Sequence, residues 1–273
     1  MELKKAIFCA LCDTMEKYTT LDLVNAYEFR DQGRIKEFVS NKVEHAVPNR
    51  KPYYVCFEGV DGAGKSTQIR LVGKHLEKCG YKVLLTKEPG TPLIPLTMKL
   101  REIMLDAQYD HEMTTLSREY ISQAIRSIHL EKLVKPIMVK TDDTTEDLQY
   151  DFILQDRGLL SGVVYGIACG NDKDFIYEMM RRTRGSTPAY DQVIIIDGDI
   201  EKCLVRASKS KQEFKGGDVI EAKGLEFMKH VHTLLLANVD LVTKSHHIVY
   251  GAHEKSIEDV TNQILENIAG LRK

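Results

Sequence analysis

The chain lacks a charge excess: Lys and Arg total 38 and Asp and Glu 40 over 273 residues, a formal net charge of −2. A general nucleic-acid binder needs surplus cations to neutralise phosphates, so the balance argues against that partner class. Long apolar runs are also missing. No stretch approaches the ~18 residues that a membrane-spanning helix needs, and no membrane partner is expected. The opening MELKKAIFCALC sets lysines before an apolar run. That run is short and no small-residue cleavage site follows, which argues against a secretory signal. Paired cysteines are scarce. Of the six cysteines (Cys9, Cys12, Cys56, Cys79, Cys169 and Cys203) only Cys9 and Cys12 form a CxxC pair. No second CxxC or HxxxH completes a four-ligand zinc site, so one face of an N-terminal helix is the simpler reading of that pair. Scattered thiols suit a reducing compartment, and a cytoplasmic location is the expectation. No internal repeat is present.

What remains is a globular composition, 43% hydrophobic, in a chain long enough for one large α/β domain plus an appendage. Residues 1–50 read as a helical extension. Leu21, Leu23, Val24 and Tyr27, then Ile35, Phe38, Val39 and Val43, recur at helical spacing. Pro48 and Pro52 bracket a break. From residue 51 to 273 the rhythm is strand, loop, helix. The apolar runs YYVCFEG, KVLLT, DFILQD, QVIIID and HHIVYG read as five strands. Helices are expected from Gln68 to Cys79, closed by Gly80, and over 96–106 and 113–135. A terminal helix should bury Ile257, Val260, Ile264 and Ile268 on one face. The acidic segment 140–150 and the basic, glycine-containing segment 208–218 read as loops. Short apolar strands alternating with helices predict a five-stranded parallel sheet covered on both faces.

The chemistry concentrates in FEGVDGAGKSTQ, Phe57 to Gln68. Gly59, Val60, Asp61, Gly62, Ala63, Gly64, Lys65 and Ser66 fit the GxxxxGK[ST] phosphate cradle. The string follows a strand and opens a helix, as a P-loop must. Backbone N–H groups there, with Thr67 on the first helical turn, would hold the phosphates of ATP. Lys65 would reach the β and γ oxygens, and the Ser66 hydroxyl would ligate Mg²⁺. The reaction is not fixed by the loop alone. A GTPase should carry NKxD after it, but the nearest string, Asn41 to Glu44, lies before it. A motor ATPase would want paired acids at a strand end, yet the third strand ends in Asp156-Arg157 and the fourth in Asp197-Gly198. Asp61 discriminates further. A carboxylate beside bound phosphates repels them by kilocalories at low dielectric. It should therefore face away from the cradle, toward sugar hydroxyls of a second nucleotide. The alternative is an exposed loop acid.

Taken in order, the motifs resemble those of the thymidylate kinases, nucleoside-monophosphate kinases of the P-loop fold. The resemblance runs from about Tyr53 to the C-terminus. TKEPGT (86–91) is similar to the family's TREPGGT, KLREIML carries its arginine at Arg101, and AIRSIH (124–129) matches AxRxxH. DRGLLSGVVY (156–165) resembles DRYxxSxxAY, and residues 206–227 resemble the lid and the RIExEGLEF that follows it. The resemblance implies transfer of the γ-phosphoryl of MgATP to dTMP, giving dTDP and ADP. It implies that Asp61 binds the acceptor's 3′-hydroxyl and that Arg101 and Arg157 grip its 5′-phosphate. Asp156 orients Mg²⁺ or its water, Tyr165 lies against the sugar, and Arg126 reaches the base. Glu88 and Pro89 belong to the acceptor site. Where some relatives place an arginine in the loop, this chain has Gly62. The catalytic cation then comes from the lid, about 206–218, with Lys209, Lys211 and Lys215 as candidates and Arg206 at its base. A homodimer is implied, and the extension is free to contact a second subunit or another protein.

The base side departs from the pattern. The stacking phenylalanine is Ser122, the base-reading Ser/Asn is Gly162, and the position often held by Gln is Gly166. Val219 replaces an arginine after the lid. Either another aromatic, Tyr120 or Tyr109, refills the pocket, or the pocket is wider and takes other deoxynucleotides or a 5-substituted pyrimidine. The alternatives are thus a broad-specificity or modified-base deoxynucleoside-monophosphate kinase, a deoxynucleoside kinase, and a non-catalytic nucleotide-binding regulatory or scaffold protein.

Overall fold

A computed structural model describes residues 51–138, 150–185, 189–209, 218–243, 245–250 and 255–270. The 1–50 extension, the 140–149 loop, Cys9, Cys12, and Lys211 and Lys215 of the lid lie outside these residues. Five strands form one sheet in the order β2-β3-β1-β4-β5, every pair parallel. They are β1 (Tyr53–Glu58), β2 (Val83–Lys87), β3 (Phe152–Asp156), β4 (Gln192–Asp197) and β5 (His246–Tyr250). Every residue of β4 is buried. Successive strand side chains point to opposite faces, so both faces of the sheet are covered. This is the α/β P-loop architecture that the apolar runs predict.

The helices are α1 (Lys65–Lys78), α2 (Pro95–Leu105), α3 (Thr115–His129), α4 (Lys135–Met138), α5 (Leu159–Ala168), α6 (Lys173–Arg184), α7 (Ile200–Lys209), α8 (Gly224–Asn238) and α9 (Ile257–Gly270). Local chemistry sets several ends. Pro95 opens α2, where a missing N–H costs nothing. Thr114 and Ser117 exchange side-chain and backbone hydrogen bonds at 3.0 and 2.9 Å, a reciprocal cap that starts α3 at Thr115. The helix expected over 113–135 ends at His129, and a wider turn over Leu130–Val134 leads into α4. In α9, Val260, Ile264 and Ile268 are buried as expected, whereas Ile257 is 61% exposed. Leu265 takes the fourth core place on the face that packs against α1, while Ile257 meets α1 through its carbonyl, which accepts from Gln68 Nε2 at 3.1 Å.

Register brings the chemistry to one edge. Phe57 of β1 and Lys87 of β2 both stand opposite Asp156 of β3. The three strands therefore finish level, and the segments that follow them converge at the carboxyl end of the sheet, where α/β sheets bind ligands.

Candidate active site

The phosphate loop joins β1 to α1. At Gly62, φ is +75°, and an added Cβ would stand 1.9 Å from the carbonyl oxygen of Cys203. The loop therefore lies directly on α7, the helix that leads to the lid, and no side chain fits between them. Lys65 is buried and donates to the Val60 carbonyl at 2.8 Å. Burial, then the Arg157 charge, lowers its pKa. Ser66 donates to Asp156 Oδ2 at 2.6 Å. The two residues expected to serve Mg²⁺ thus adjoin, though they come from α1 and β3. Among the described residues no group of three or more His, Cys, Asp or Glu side chains could hold a metal. A hydroxyl–carboxylate pair suits Mg²⁺, which keeps most of its ligands from water and phosphate.

Asp61 turns away from the cradle. It lines a cleft with Glu88, Arg101, Arg126, Arg157 and Tyr165. Arg157 Nη2 donates to Asp61 Oδ1 at 2.6 Å, and the Tyr165 hydroxyl to Oδ2 at 3.4 Å. Burial pushes the Asp61 carboxyl up, but the charges of Arg157 and Lys65 outweigh it and hold the pKa at about 2. Arg157 has φ +60°, the left-handed region that a non-glycine enters at a cost of about 1–2 kcal/mol. Its N–H donates to the Phe57 carbonyl at 2.9 Å, its Nη1 to Ser161 Oγ at 3.0 Å, and its guanidinium lies over the Tyr165 ring. Arg101, on α2, donates to the Pro89 carbonyl at 3.0 Å across the turn from β2. Arg206 lies on α7 one turn past the Gly62 contact, and Lys209 ends that helix, exposed.

Glu58 is a residue that the sequence reading passed over. Fully buried at the end of β1, its Oε1 accepts from the N–H groups of Gly158 and Ser161 at 2.9 and 3.1 Å. It also accepts the Ser161 hydroxyl. These bonds satisfy the free amides at the start of α5 and fix the turn that carries Arg157. Burial raises the Glu58 pKa. His129 is a second. Glu88 accepts from Arg126 Nε at 2.9 Å and pairs with His129 Nδ1 at 2.9 Å, while His129 Nε2 meets Thr86 Oγ1 at 2.9 Å. Burial raises the Glu88 pKa, but the Arg126 charge and His129 outweigh it and lower it overall.

At the base-side positions the structure bears on the first of the two expectations, refilling by Tyr120 or Tyr109. Tyr120 is 52% exposed and packs edge-on to Phe175. Tyr109 does not line the cleft, and Tyr165 is the only aromatic among the described residues that do. No tyrosine replaces the missing phenylalanine. The space beside the glycines is taken by neighbouring side chains. A Cβ at Gly158 would stand 2.0 Å from the Tyr190 hydroxyl, one at Gly162 2.1 Å from Arg126 Nη2, and one at Gly166 2.8 Å from Ile176 Cδ1 and 2.9 Å from Glu119 Oε2. Three glycines four residues apart, visible in the sequence as GLLSGVVYG, make one face of α5. Side chains of α3, of α6 and of the segment before β4 fill that face. Met104, Leu105 and Ile220 give the cleft an apolar side, beside Ser122. Val219, where an arginine was expected, is buried, and its N–H donates to the Leu105 carbonyl at 3.0 Å.

Comparison with known proteins agrees with this geometry. The family model described as Thymidylate kinase matches residues 57–264. The chain is 31% identical over 214 residues to the thymidylate kinase of Campylobacter concisus, covering 77% of this chain and 96% of that protein. It is 32% identical over 211 residues to that of Francisella tularensis subsp. novicida, covering 77% and 92%. The thymidylate kinase of Geotalea daltonii is 36% identical over 156 residues, 56% of this chain and 66% of that protein. A crystal structure of thymidylate kinase from Ehrlichia chaffeensis superposes with a TM-score of 0.56 at 22% identity, covering 80% of this chain and 98% of that one, a likeness of fold. The chain belongs to the thymidylate kinase family.

Proposed function

We propose that the protein transfers the γ-phosphoryl group of MgATP to the 5′-phosphate of dTMP, yielding ADP and dTDP. The observation that carries this reading is Asp61. It shares the phosphate loop with Lys65 yet faces a separate cleft, paired with Arg157 and Tyr165. Two nucleotides then meet at one loop, the donor in its amides and the acceptor across Asp61.

Phosphoryl transfer needs alignment and neutralisation of charge on the equatorial oxygens. Lys65 would leave the Val60 carbonyl for the donor phosphates, which replace that hydrogen bond with a charged one. Arg157 and Arg101 would hold the acceptor 5′-phosphate in line. Arg157 is presented by a strained turn that Glu58 and the Phe57 carbonyl keep in place. Asp61 would accept the 3′-hydroxyl, and the Tyr165 ring would close against the 2′ side. Ser66 and Asp156 would hold Mg²⁺, which when bound supplies charge neutralisation between the β and γ phosphates. With Gly62 pressed on Cys203, no cation can enter from the loop itself. Lys209, Lys211 or Lys215 of the lid, with Arg206, would supply it.

A homodimer fits the same reading, because α2 and α3 expose Leu96, Ile103, Leu116 and Tyr120. No disulfide links the cysteines among the described residues, which suits a reducing, cytoplasmic setting. Labelled ATP incubated with each deoxynucleoside monophosphate and with thymidine, with products separated by chromatography, tests the proposal. dTDP from dTMP is expected and dTMP from thymidine is not. Absence of any labelled diphosphate overturns the reading.

A further inference from the structure

The acceptor cleft contains a buried carboxylate that the reaction above does not use. Glu119 lies on α3 and is 5% exposed, yet it lines the cleft. Its Oε1 accepts from Gln123 Nε2 at 2.5 Å, and its Oε2 lies beside Ile176 Cδ1 in the space where a side chain at Gly166 would project. One turn nearer the phosphate end of α5, about 6 Å away, the Arg126 guanidinium occupies the matching space at Gly162. Arg126 is 3% exposed and anchored on Glu88 through Nε, and its Nη1 has no hydrogen-bond partner among the described residues. A buried guanidinium N–H without a partner costs free energy, and in a ligand cleft it marks a place for an acceptor.

The two side chains present opposite chemistry. Arg126 can only donate, and an ionised Glu119 can only accept. We propose that Glu119, with Arg126, reads the acceptor base, selecting bases that carry a carbonyl beside a ring N–H. This rests on the reading of the chain as a kinase acting on dTMP. With thymine seated so that O4 takes the Arg126 donor, its ring N3–H points to Glu119. Guanine offers the same pair at O6 and N1–H, and adds its 2-amino donor on the carboxylate side. Cytosine and adenine, seated alike, present an amino group to the guanidinium and a bare ring nitrogen to the carboxylate, so both contacts are repulsive. Ser122 in place of an aromatic leaves room for the larger purine. Burial raises the Glu119 pKa, and an N–H donor from the base would favour the ionised form again. Thymidylate and deoxyguanylate are therefore the substrates of this cleft, and deoxycytidylate and deoxyadenylate are not.

The test measures kcat/KM for dTMP, dGMP, dCMP and dAMP in the full-length enzyme and in Glu119→Gln and Glu119→Ala. A matched hydrogen-bonding pair discriminates by about 1–3 kcal/mol, five- to 150-fold. The wild type should prefer dTMP and dGMP over dCMP and dAMP by at least about tenfold. Both variants should shrink the dTMP-to-dCMP ratio by at least about fivefold, mostly through KM. A ratio is independent of the fraction of enzyme folded, so a merely structural role for Glu119 would leave it unmoved. Glu119→Gln keeps the shape and serves if the alanine variant is unstable. A ratio within twofold of wild type in both variants, or a wild type that prefers dCMP, overturns the proposal while leaving the kinase reading intact. Failure on all four nucleotides defeats both.

Discussion

Substituting Gly162 sets two physical terms against each other. The residue lies inside α5, where Ala is favoured over Gly by about 1 kcal/mol. By propensity alone Gly162→Ala stabilises, and by family pattern Gly162→Asn restores a base contact. The packing says otherwise. The new Cβ would stand 2.1 Å from Arg126 Nη2 and 2.5 Å from Cζ, far inside contact distance. Moving Arg126 off this space draws it from its buried partner, its side chain being 4% exposed and that of Glu88 2%. Displacing the guanidinium breaks a buried ion pair, which costs about 3–5 kcal/mol. Glu88 keeps His129, so the lower figure applies, and the helix-propensity gain of about 1 kcal/mol leaves a net loss of about 2 kcal/mol. Urea unfolding of wild type, Gly162→Ala, Arg126→Ala and the double variant gives the answer. In the Arg126→Ala background the same methyl group meets no guanidinium and should stabilise, so the cycle should show a coupling of about 3 kcal/mol. Gly162→Ala as stable as wild type, or more so, would refute the claim that Arg126 fills this space.

Three further outcomes follow from the site. The pKa of Asp61, about 2 against 3.8 for a free side chain, means that the pair with Arg157 contributes stability above about pH 4. That contribution, at most about 2 kcal/mol, is lost as pH falls from about 4 through about 2, and Asp61→Asn should remove this part of the acid limb in pH-dependent urea titrations. Glu58→Ala strands the Gly158 and Ser161 amides and should cost about 2 kcal/mol. It should also lower kcat by loosening the Arg157 turn, so an unchanged urea midpoint counts against the capping role. Replacing Lys209, Lys211 and Lys215 together by Gln should lower kcat by about 10³–10⁵ with ATP affinity changed far less. An unaltered kcat in single-turnover assays would reject the lid as the source of the cation.

Periodicity was enough to place all five strands, since each is a short apolar run bounded by turn residues, and their parallel pairing follows from the intervening helices. The phosphate loop and the direction of Asp61 were equally legible, because repulsion between a carboxylate and bound phosphate does not depend on remote packing. Helix ends were less so. The start of α3 rests on a reciprocal Thr114–Ser117 cap, and Ile257 matches the apolar face of α9 in spacing but leaves its side chain exposed in the first turn. Glu58 and His129 stood inside quoted motifs without a role, because a buried carboxylate and a buried imidazole acquire their roles only from the amides and acids brought against them.

The amino-acid order by itself determined a phosphate-binding α/β domain that brings two nucleotides together, since those properties reside in local strings and their spacing. Only the tertiary structure decided the character of the acceptor pocket. Read along the chain, Ser122, Gly162 and Gly166 are losses. In space, Arg126 of α3 occupies the room at Gly162, and Glu119 of α3 with Ile176 of α6 the room at Gly166, the two α3 residues from 36 and 47 positions away in sequence. A cleft is defined by the volume its walls jointly leave open, and that sum over two helices has no counterpart in the neighbours of any one residue.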